Sequence, residues 1–300
     1  MLYNNILETV GQTPIISLDR LAKKHGIEGK LFAKIEYFNP SLSKKDRVAK
    51  FMIEELERTG QLKPGQTVIE ATSGNTGIAV ATACAVKGYP FVAVMSAGNS
   101  KERVVRLEWL GAKVELVPQA QGAKQGQVSH DDYLLVEKRF LELLDELKAV
   151  PVGQFVSENN PETHYLFTAT EILKDIPSLD AFCDFLGTNG TFAGISRRFK
   201  EEKPNIKCIA IEPENKRHII QGGGYFKEEF LNSEHIDEKI IVSDDDAIFW
   251  TKELATCEGI TGGISSGANL AAAIKYLKAN KNKSILFLVN DNFVNYMTKN

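Results

Sequence analysis

The chain has few cysteines, no long apolar run and almost no excess of charge of either sign. Its four cysteines, Cys84, Cys183, Cys208 and Cys257, show no paired metal-ligand spacing, so buried free thiols in a reducing compartment and no metal site are expected. No apolar stretch reaches the roughly 18 residues that a membrane helix requires, and the N-terminus lacks the basic and apolar regions of a signal peptide. These absences favour a cytoplasmic protein.

The charge balance argues against a polyanionic partner. The sequence has 36 basic and 39 acidic residues, a formal net charge of −3 and a pI near 6.0. Nucleic acid is therefore not an expected partner. No strand-like run is followed by Gly-x-Gly-x-x-Gly and a later acidic residue, which disfavours a nicotinamide-dependent enzyme. The 300 residues, 43% of them hydrophobic, can build a large core and favour two domains.

Short apolar runs rich in β-branched residues alternate with amphipathic stretches along most of the chain. The candidate strands are 31–35, 67–70, 91–95, 113–116, 181–186, 207–211 and 284–289. The candidate helices include 46–60, 101–110, 132–147, 162–172, 194–200 and 266–279. This alternation predicts an α/β fold with mainly parallel sheets flanked by helices on both faces.

The segment Thr72-Ser73-Gly74-Asn75-Thr76 is the most informative feature of the chain. It follows an apolar, strand-like run and precedes a helix of small residues. A turn of this composition directs several backbone N–H groups and hydroxyls to one side, which suits a carboxylate or a phosphate. The alternative is an ordinary strand–helix turn in which the serine or the asparagine caps the helix.

A second segment lies upstream and reads Asn39-Pro40-Ser41-Leu42-Ser43-Lys44-Lys45-Asp46-Arg47. Together the two segments resemble the pyridoxal-phosphate (PLP) enzymes of the cysteine synthase and cystathionine β-synthase family, in their β-replacement branch. The resemblance implies a fold like that of the tryptophan synthase β-subunit. It also implies a smaller, substrate-gripping domain over 41–146, inserted into a larger PLP-binding domain of 1–40 and 147–300. In this register Lys45 binds the cofactor covalently, and Lys44 is a solvated surface charge.

A third segment, Gly187-Thr188-Asn189-Gly190-Thr191, resembles the loop that holds the PLP phosphate in this family. A helix N-terminus carries roughly half a positive charge, and glycines let the backbone approach an anion. Relatives usually have glycine where this chain has Asn189, but asparagine tolerates a left-handed backbone, so the phosphate loop is predicted to persist. The resemblance further implies that Asn75 and Ser265 lie at the cofactor ring.

The resemblance also assigns residues to the substrate. Thr72–Thr76 and Gln154 are expected to bind the substrate carboxylate, and Gly222-Gly223-Gly224 to close over it. Taken singly, Asn75 and Gln154 are equally well explained as capping or solvent-facing amides. The glycine segment has the alternative of a mobile loop without a role.

Departures from the family pattern cluster around the same residues. Relatives place a serine against the pyridine nitrogen, whereas this chain reads Asn290-Asp291-Asn292-Phe293, with Asn292 at the serine position. Asn292 could donate a hydrogen bond to an unprotonated nitrogen, whereas Asp291 would favour the protonated ring and a stronger electron sink. Both residues remain candidates. The segment 95–100 departs as well, at the mouth of the smaller domain.

Asn232 stands where many relatives have aspartate. An amide cannot act as a general base, so the hypothesis is that proton transfer to this position is absent and that the second half-reaction is slow. The alternative is that Asn232 caps a surface turn.

The function implied by the resemblance is PLP-dependent β-elimination or β-replacement on a small amino acid through an aminoacrylate, with Lys45 removing the Cα proton. Because the departures cluster at the site, we expect conversion of cysteine to serine with release of sulfide. Alternatives are a cysteine synthase using O-acetylserine and sulfide, a serine or threonine dehydratase and, from another class, a low-turnover PLP- or partner-binding protein. A homodimer is expected, with a small amino acid as its ligand.

Overall fold

The computed structural model describes residues 1–72, 74–99, 101–122, 130–224 and 229–296. The strands are β1 Ile15–Ser17, β2 Gly29–Ile35, β3 Val68–Ala71, β4 Phe91–Ser96, β5 Lys113–Val117, β6 Val150–Pro151, β7 Ala181–Phe185, β8 Lys207–Pro213, β9 Glu238–Val242 and β10 Lys283–Val289. The α-helices are α1 Asp19–Lys24, α2 Lys45–Arg58, α3 Asn75–Lys87, α4 Lys101–Trp109, α5 His130–Glu146, α6 Asn159–Thr163, α7 Ala169–Asp175, α8 Gly190–Glu202, α9 Asp244–Glu258 and α10 Ile264–Ala279.

The chain forms two compact units. Of the residues that the structure describes, the first unit contains those within Met1–Val10 and Lys45–Ser157, and the second contains those within Gly11–Lys44 and 158–296. The units differ from the predicted domains at 1–10, 41–44 and 147–157. The differences at 1–10 and 147–157 have a packing reason. Leu7 belongs to the hydrophobic core of the first unit, and β6 pairs with β3 of the same unit.

The first unit is built on a parallel sheet of order β5-β4-β3-β6. Every residue of β4 is buried, as expected for a parallel strand covered on both faces. Helix α2 contributes Val48, Met52 and Ile53 to the core, a spacing that places them on one face of the helix. Helix α3 is buried from Thr76 to Ala81 and again at Ala83 and Cys84, which its small residues permit.

The second unit is built on a sheet of order β1-β2-β10-β7-β8-β9, in which only the β1–β2 pair is antiparallel. Strand β10 lies between β2 and β7 and is buried from Ser284 to Val289. Because β7 and β10 are parallel, their carboxyl ends meet at one edge of the sheet. The loops that follow them, at 186–189 and 290–292, therefore start from the same edge.

The predicted α/β fold with mainly parallel sheets flanked by helices is confirmed. The sequence pattern does not predict the short strands β1 and β6. It does not predict the edge strand β9 either, because β9 begins with the charged residues Glu238 and Lys239. The predicted helix 162–172 consists of α6, a π-helical turn at His164–Thr168 and α7. Among the residues that the structure describes, no helix is long and apolar enough to cross a membrane.

Candidate active site

The two adjacent lysines have different surroundings. Lys44 Nζ lies 2.8 Å from Asp184 Oδ2, and the side chains of this pair are 12% and 1% exposed. The Lys44 backbone N–H also donates to the carbonyl of Asn290. The interpretation of Lys44 as a solvated surface charge is therefore wrong. Lys45 is half-buried and begins α2.

The predicted anion loop connects β3 to α3. The helix begins at Asn75 after the N-cap residue Gly74, and Thr72 Oγ1 accepts a hydrogen bond from the Gly77 N–H at 3.0 Å. A Cβ at Gly77 would lie 2.7 Å from Thr72 Cγ2, so this approach requires glycine. A hydroxyl that accepts one N–H keeps its own hydrogen for donation to an anion. Ser73 lies outside the described residues.

Gln154 lies beside this loop. Thr76 Oγ1 donates a hydrogen bond of 2.7 Å to Gln154 Oε1, and both side chains are buried. Since β6 is parallel to β3, the chain that leaves β6 reaches the same edge of the sheet as the loop after β3. The structure thus brings together two residues that the sequence assigned to the substrate carboxylate, and the solvent-facing alternative for Gln154 is wrong.

Glu70 completes this cluster, and sequence reasoning did not find it. Its carboxylate accepts the Gly153 N–H at 2.7 Å and further hydrogen bonds from the backbone and the side chain of Gln154. Burial raises the pKa of Glu70 to about 7, against the lowering effect of these hydrogen bonds. The only sequence signal was a charged residue in an otherwise apolar strand.

The predicted phosphate loop lies between β7 and α8. Asn189 has φ 68° and is the N-cap residue of α8, which confirms that asparagine takes the left-handed backbone at this position. Its Nδ2 donates a 3.2 Å hydrogen bond to the carbonyl of Glu229. The first-turn N–H groups of α8 start at Gly190, where the intrahelical hydrogen bonds have not begun. This geometry fits an anion such as a phosphate.

Side chains from the segment before α7 hold the threonines of this loop. Asn160 Nδ2 donates to Thr188 Oγ1 at 3.0 Å, and His164 Nε2 lies 3.2 Å from Thr191 Oγ1. All four side chains are buried. A Cβ at Gly190 would collide with Asn160, so the loop packs against that side chain without room for a larger residue. The sequence carried no signal for Asn160 or His164, because their role depends on tertiary packing.

The glycine segment lies against the phosphate loop. A Cβ at Gly187 would be 2.5 Å from the carbonyl oxygen of Gly222, and the Gly224 N–H donates to the carbonyl of Leu186 at 2.7 Å. Gly223 packs against Phe185 with no space for a side chain. The two glycine-rich segments, far apart in sequence, are therefore neighbours. Closure of this segment over a substrate remains a prediction.

The candidates for the ring nitrogen differ in burial. Asp291 is 3% exposed and accepts a hydrogen bond from the Tyr296 hydroxyl. Asn292 is partly exposed; its Nδ2 donates to Thr261 Oγ1 at 3.1 Å, and its Oδ1 accepts the Val294 N–H at 3.0 Å.

Ser265, the other residue predicted near the cofactor ring, lies in the first turn of α10, which begins at Ile264. Its Oγ accepts a 3.2 Å hydrogen bond from Asn290 Nδ2, which ties Ser265 to the end of β10. The Asn290 Oδ1 atom is buried and accepts no hydrogen bond from the part of the chain that the structure describes.

Asn232 is exposed and caps a short 3-10 helix at Ser233–His235. Its Oδ1 accepts the Glu234 N–H at 3.0 Å, and its Nδ2 lies 3.4 Å from His235 Nε2. This arrangement accounts for Asn232 as a surface cap. The catalytic hypothesis for Asn232 stays a prediction. In the described ranges, no cluster of His, Cys, Asp or Glu side chains could hold a metal ion.

Comparison with known proteins adds the following findings. The profile of the family described as pyridoxal-phosphate dependent enzymes matches residues 6–291. A cysteine synthase B of Campylobacter jejuni is 39% identical over 307 residues, which cover 99% of this chain and 97% of the relative. A cysteine synthase of Staphylococcus aureus is 37% identical over 308 residues, covering 98% and 96%. The crystal structure of a hydrogen sulfide-producing enzyme from Fusobacterium nucleatum superposes with a TM-score of 0.91 at 34% identity and covers 99% of both chains.

Proposed function

Because the chain belongs to the pyridoxal-phosphate dependent enzyme family, we propose that it converts cysteine and water to serine and sulfide by β-replacement. The family and the PLP cofactor expected from the sequence are confirmed, and the relatives include cysteine synthases. The observation that carries the proposal is the 2.7 Å hydrogen bond between Thr76 and Gln154, since it assembles the expected amino-acid carboxylate site.

The residues present fit the cofactor. The left-handed Asn189, the glycines around it and the first-turn N–H groups of α8 suit the PLP phosphate. Lys45 would hold the cofactor covalently. When bound, PLP supplies an electron sink that makes the substrate Cα–H acidic.

Residues of the first unit would bind and deprotonate the substrate. The Thr72 hydroxyl, the backbone N–H groups at the start of α3 and the Gln154 amide would hold the α-carboxylate. Held there, the amino acid keeps its Cα hydrogen in a fixed orientation, which lowers the entropy cost of proton transfer. The Lys45 amine, once released, would take the proton from Cα.

Asp291 supports the cysteine-consuming direction. Its burial contrasts with the partly exposed Asn292, so we assign the ring nitrogen to Asp291. A carboxylate there favours a protonated ring and stronger electron withdrawal. Sulfide is a poorer leaving group than acetate and benefits more from such withdrawal. The Fusobacterium structure, a hydrogen sulfide-producing enzyme, agrees with this direction.

The second candidate is cysteine synthesis from O-acetylserine and sulfide, which the two cysteine synthases named above favour. The two directions differ in which group leaves Cβ. The PLP-loaded protein should be incubated with cysteine, serine and O-acetylserine separately, with sulfide, acetate and amino-acid products measured. Sulfide and serine from cysteine, at a higher kcat/KM than acetate from O-acetylserine, support the proposal. The reverse ranking assigns the chain to cysteine synthesis.

The cytoplasmic location and the homodimer stay predictions. Light scattering of the purified protein would measure the second of them.

A further inference from the structure

A buried carboxylate lies behind the proposed carboxylate site. Glu70 is 4% exposed and is the last-but-one residue of β3, two positions before Thr72. The Gly153 N–H donates a hydrogen bond of 2.7 Å to Glu70 Oε2. The proposed mechanism gives this group no role, and a strand core gains nothing from burying a carboxyl group there.

The hydrogen bonds of Gln154 have a direction. Its Oε1 accepts from the Thr76 hydroxyl at 2.7 Å, and its side chain also bonds to the Glu70 carboxyl group. An ionised carboxylate can only accept, so the Gln154 end that faces Glu70 must be the NH2 group. Glu70 and Thr76 thus oppose rotation of the amide by half a turn, which would exchange its oxygen and nitrogen.

We propose that Glu70 is a positioning residue that orients the Gln154 amide so that Gln154 donates an N–H to the α-carboxylate of the amino acid. This inference rests on the proposed use of the Thr72–Thr76 loop and Gln154 as the carboxylate site. A flipped amide would present an oxygen to the substrate carboxylate and repel it.

Glu70→Gln is the variant that reverses this orientation. The new side chain keeps the size and can still accept the Gly153 N–H with its oxygen, but it then turns an NH2 group toward Gln154. Gln154 satisfies that donor by turning its own oxygen to it. The matched control is Glu115→Gln in β5 of the same sheet, where Glu115 pairs with Arg139 on the unit surface.

The assay uses two ligands that differ only in the carboxylate, L-serine and ethanolamine. Each is titrated into the PLP-loaded wild type and variants, and binding is followed by the cofactor absorbance. Glu70→Gln should weaken L-serine binding by about tenfold to a hundredfold, the scale of one hydrogen bond to a charged group, and leave ethanolamine nearly unchanged. Glu115→Gln should change neither affinity.

Three results contradict the inference. Equal losses for both ligands in Glu70→Gln would show a general structural role, and unchanged L-serine binding would show no role. In both cases the proposed function survives. If wild type itself binds L-serine no better than ethanolamine, the carboxylate site fails, and the inference about Glu70 fails with it.

A pH profile of the wild type tests the same inference without relying on a variant that folds. Glu70 must be ionised to hold the amide, and its pKa is raised to about 7 by burial. A neighbouring titratable group is Tyr133 of α5, which is half-exposed; the partial desolvation of its hydroxyl and the Glu70 charge raise the pKa of Tyr133. The preference for L-serine over ethanolamine should therefore decline as the pH falls below about 7 and stay level in Glu70→Gln. A level profile in wild type overturns the inference.

Discussion

Lys44 Nζ and Asp184 Oδ2 form an ion pair of 2.8 Å in the second unit, directly before the lysine assigned to the cofactor. Asp184 Oδ1 also accepts a hydrogen bond from Asn269 Nδ2 at 3.0 Å. A buried carboxylate with both oxygens engaged is costly to leave without its cation. The pair therefore fixes the chain just before Lys45.

Lys44→Ala is expected to lower the free energy of unfolding by about 3–5 kcal/mol, because it leaves the Asp184 charge buried and unpaired. Asp184→Asn in the Lys44→Ala background should recover much of that loss. Urea unfolding measures both. The matched control is Lys281→Ala, since Lys281 pairs with Glu28 across exposed side chains, and its loss should cost at most about 1 kcal/mol. Equal effects of the two lysine variants would contradict the account.

Asn189→Gly should keep the PLP affinity within about tenfold, because glycine adopts the left-handed backbone at least as well as asparagine. The variant removes the hydrogen bond from Asn189 Nδ2 to the carbonyl of Glu229. This bond is 3.2 Å long, which indicates a modest contribution to the stability of the loop. Asn189→Val, in contrast, places a β-branched residue at φ 68° and should weaken PLP binding and lower Tm. Fluorescence titration of the apoprotein with PLP measures the affinity. Similar losses in both variants would show that the side chain matters more than the backbone angle.

The ionisation of Glu70 should make the apoprotein less stable as the pH rises. Its pKa is about 7 in the folded protein against an ordinary value of 4.5, so the folded state holds the proton more tightly. The stabilisation from the protonated form is complete below pH 4.5 and is lost as the pH rises through about 7. The gap between the two values corresponds to roughly 3 kcal/mol. Unfolding curves of wild type and Glu70→Gln between these pH values should diverge by this amount, and parallel curves would contradict the buried carboxylate.

Asn232→Asp separates the two explanations for that residue. If Asn232 marks a missing general base, the variant should turn over about 10²–10⁴-fold faster. If it only caps the turn at Ser233–His235, aspartate caps equally well and the rate should not change. The exposed cap favours an unchanged rate. Stopped-flow kinetics with cysteine decide between the two results.

The sequence carried the local parts of the site, and packing supplied the rest. Thr72–Thr76 and Gly187–Thr191 could be predicted because a strand–turn–helix connection encodes its own anion-binding geometry. Asn189 could be predicted to adopt a left-handed backbone for the same local reason. Asp184 and Glu70 could not, because both lie in strands, where the sequence does not show which neighbour reaches a buried carboxylate.

The fold, too, has elements that the local sequence predicts and elements that depend on packing. Strands such as β4 and β10 contain short, continuous apolar runs, which the sequence pattern predicts as strands. The two-residue β6 exists only because it pairs with β3, and the π-helical turn at His164–Thr168 interrupts a continuous helical pattern. Both features depend on tertiary packing that no local pattern shows.

The attachment site of the cofactor tests the central claim most directly. The PLP-loaded protein should be reduced with borohydride, digested and mapped by mass spectrometry, which distinguishes neighbouring lysines by fragment masses. The account predicts the pyridoxyl label on Lys45 and none on Lys44, whose amine is held by Asp184. A label on Lys44, or on a lysine outside this segment, would contradict the account.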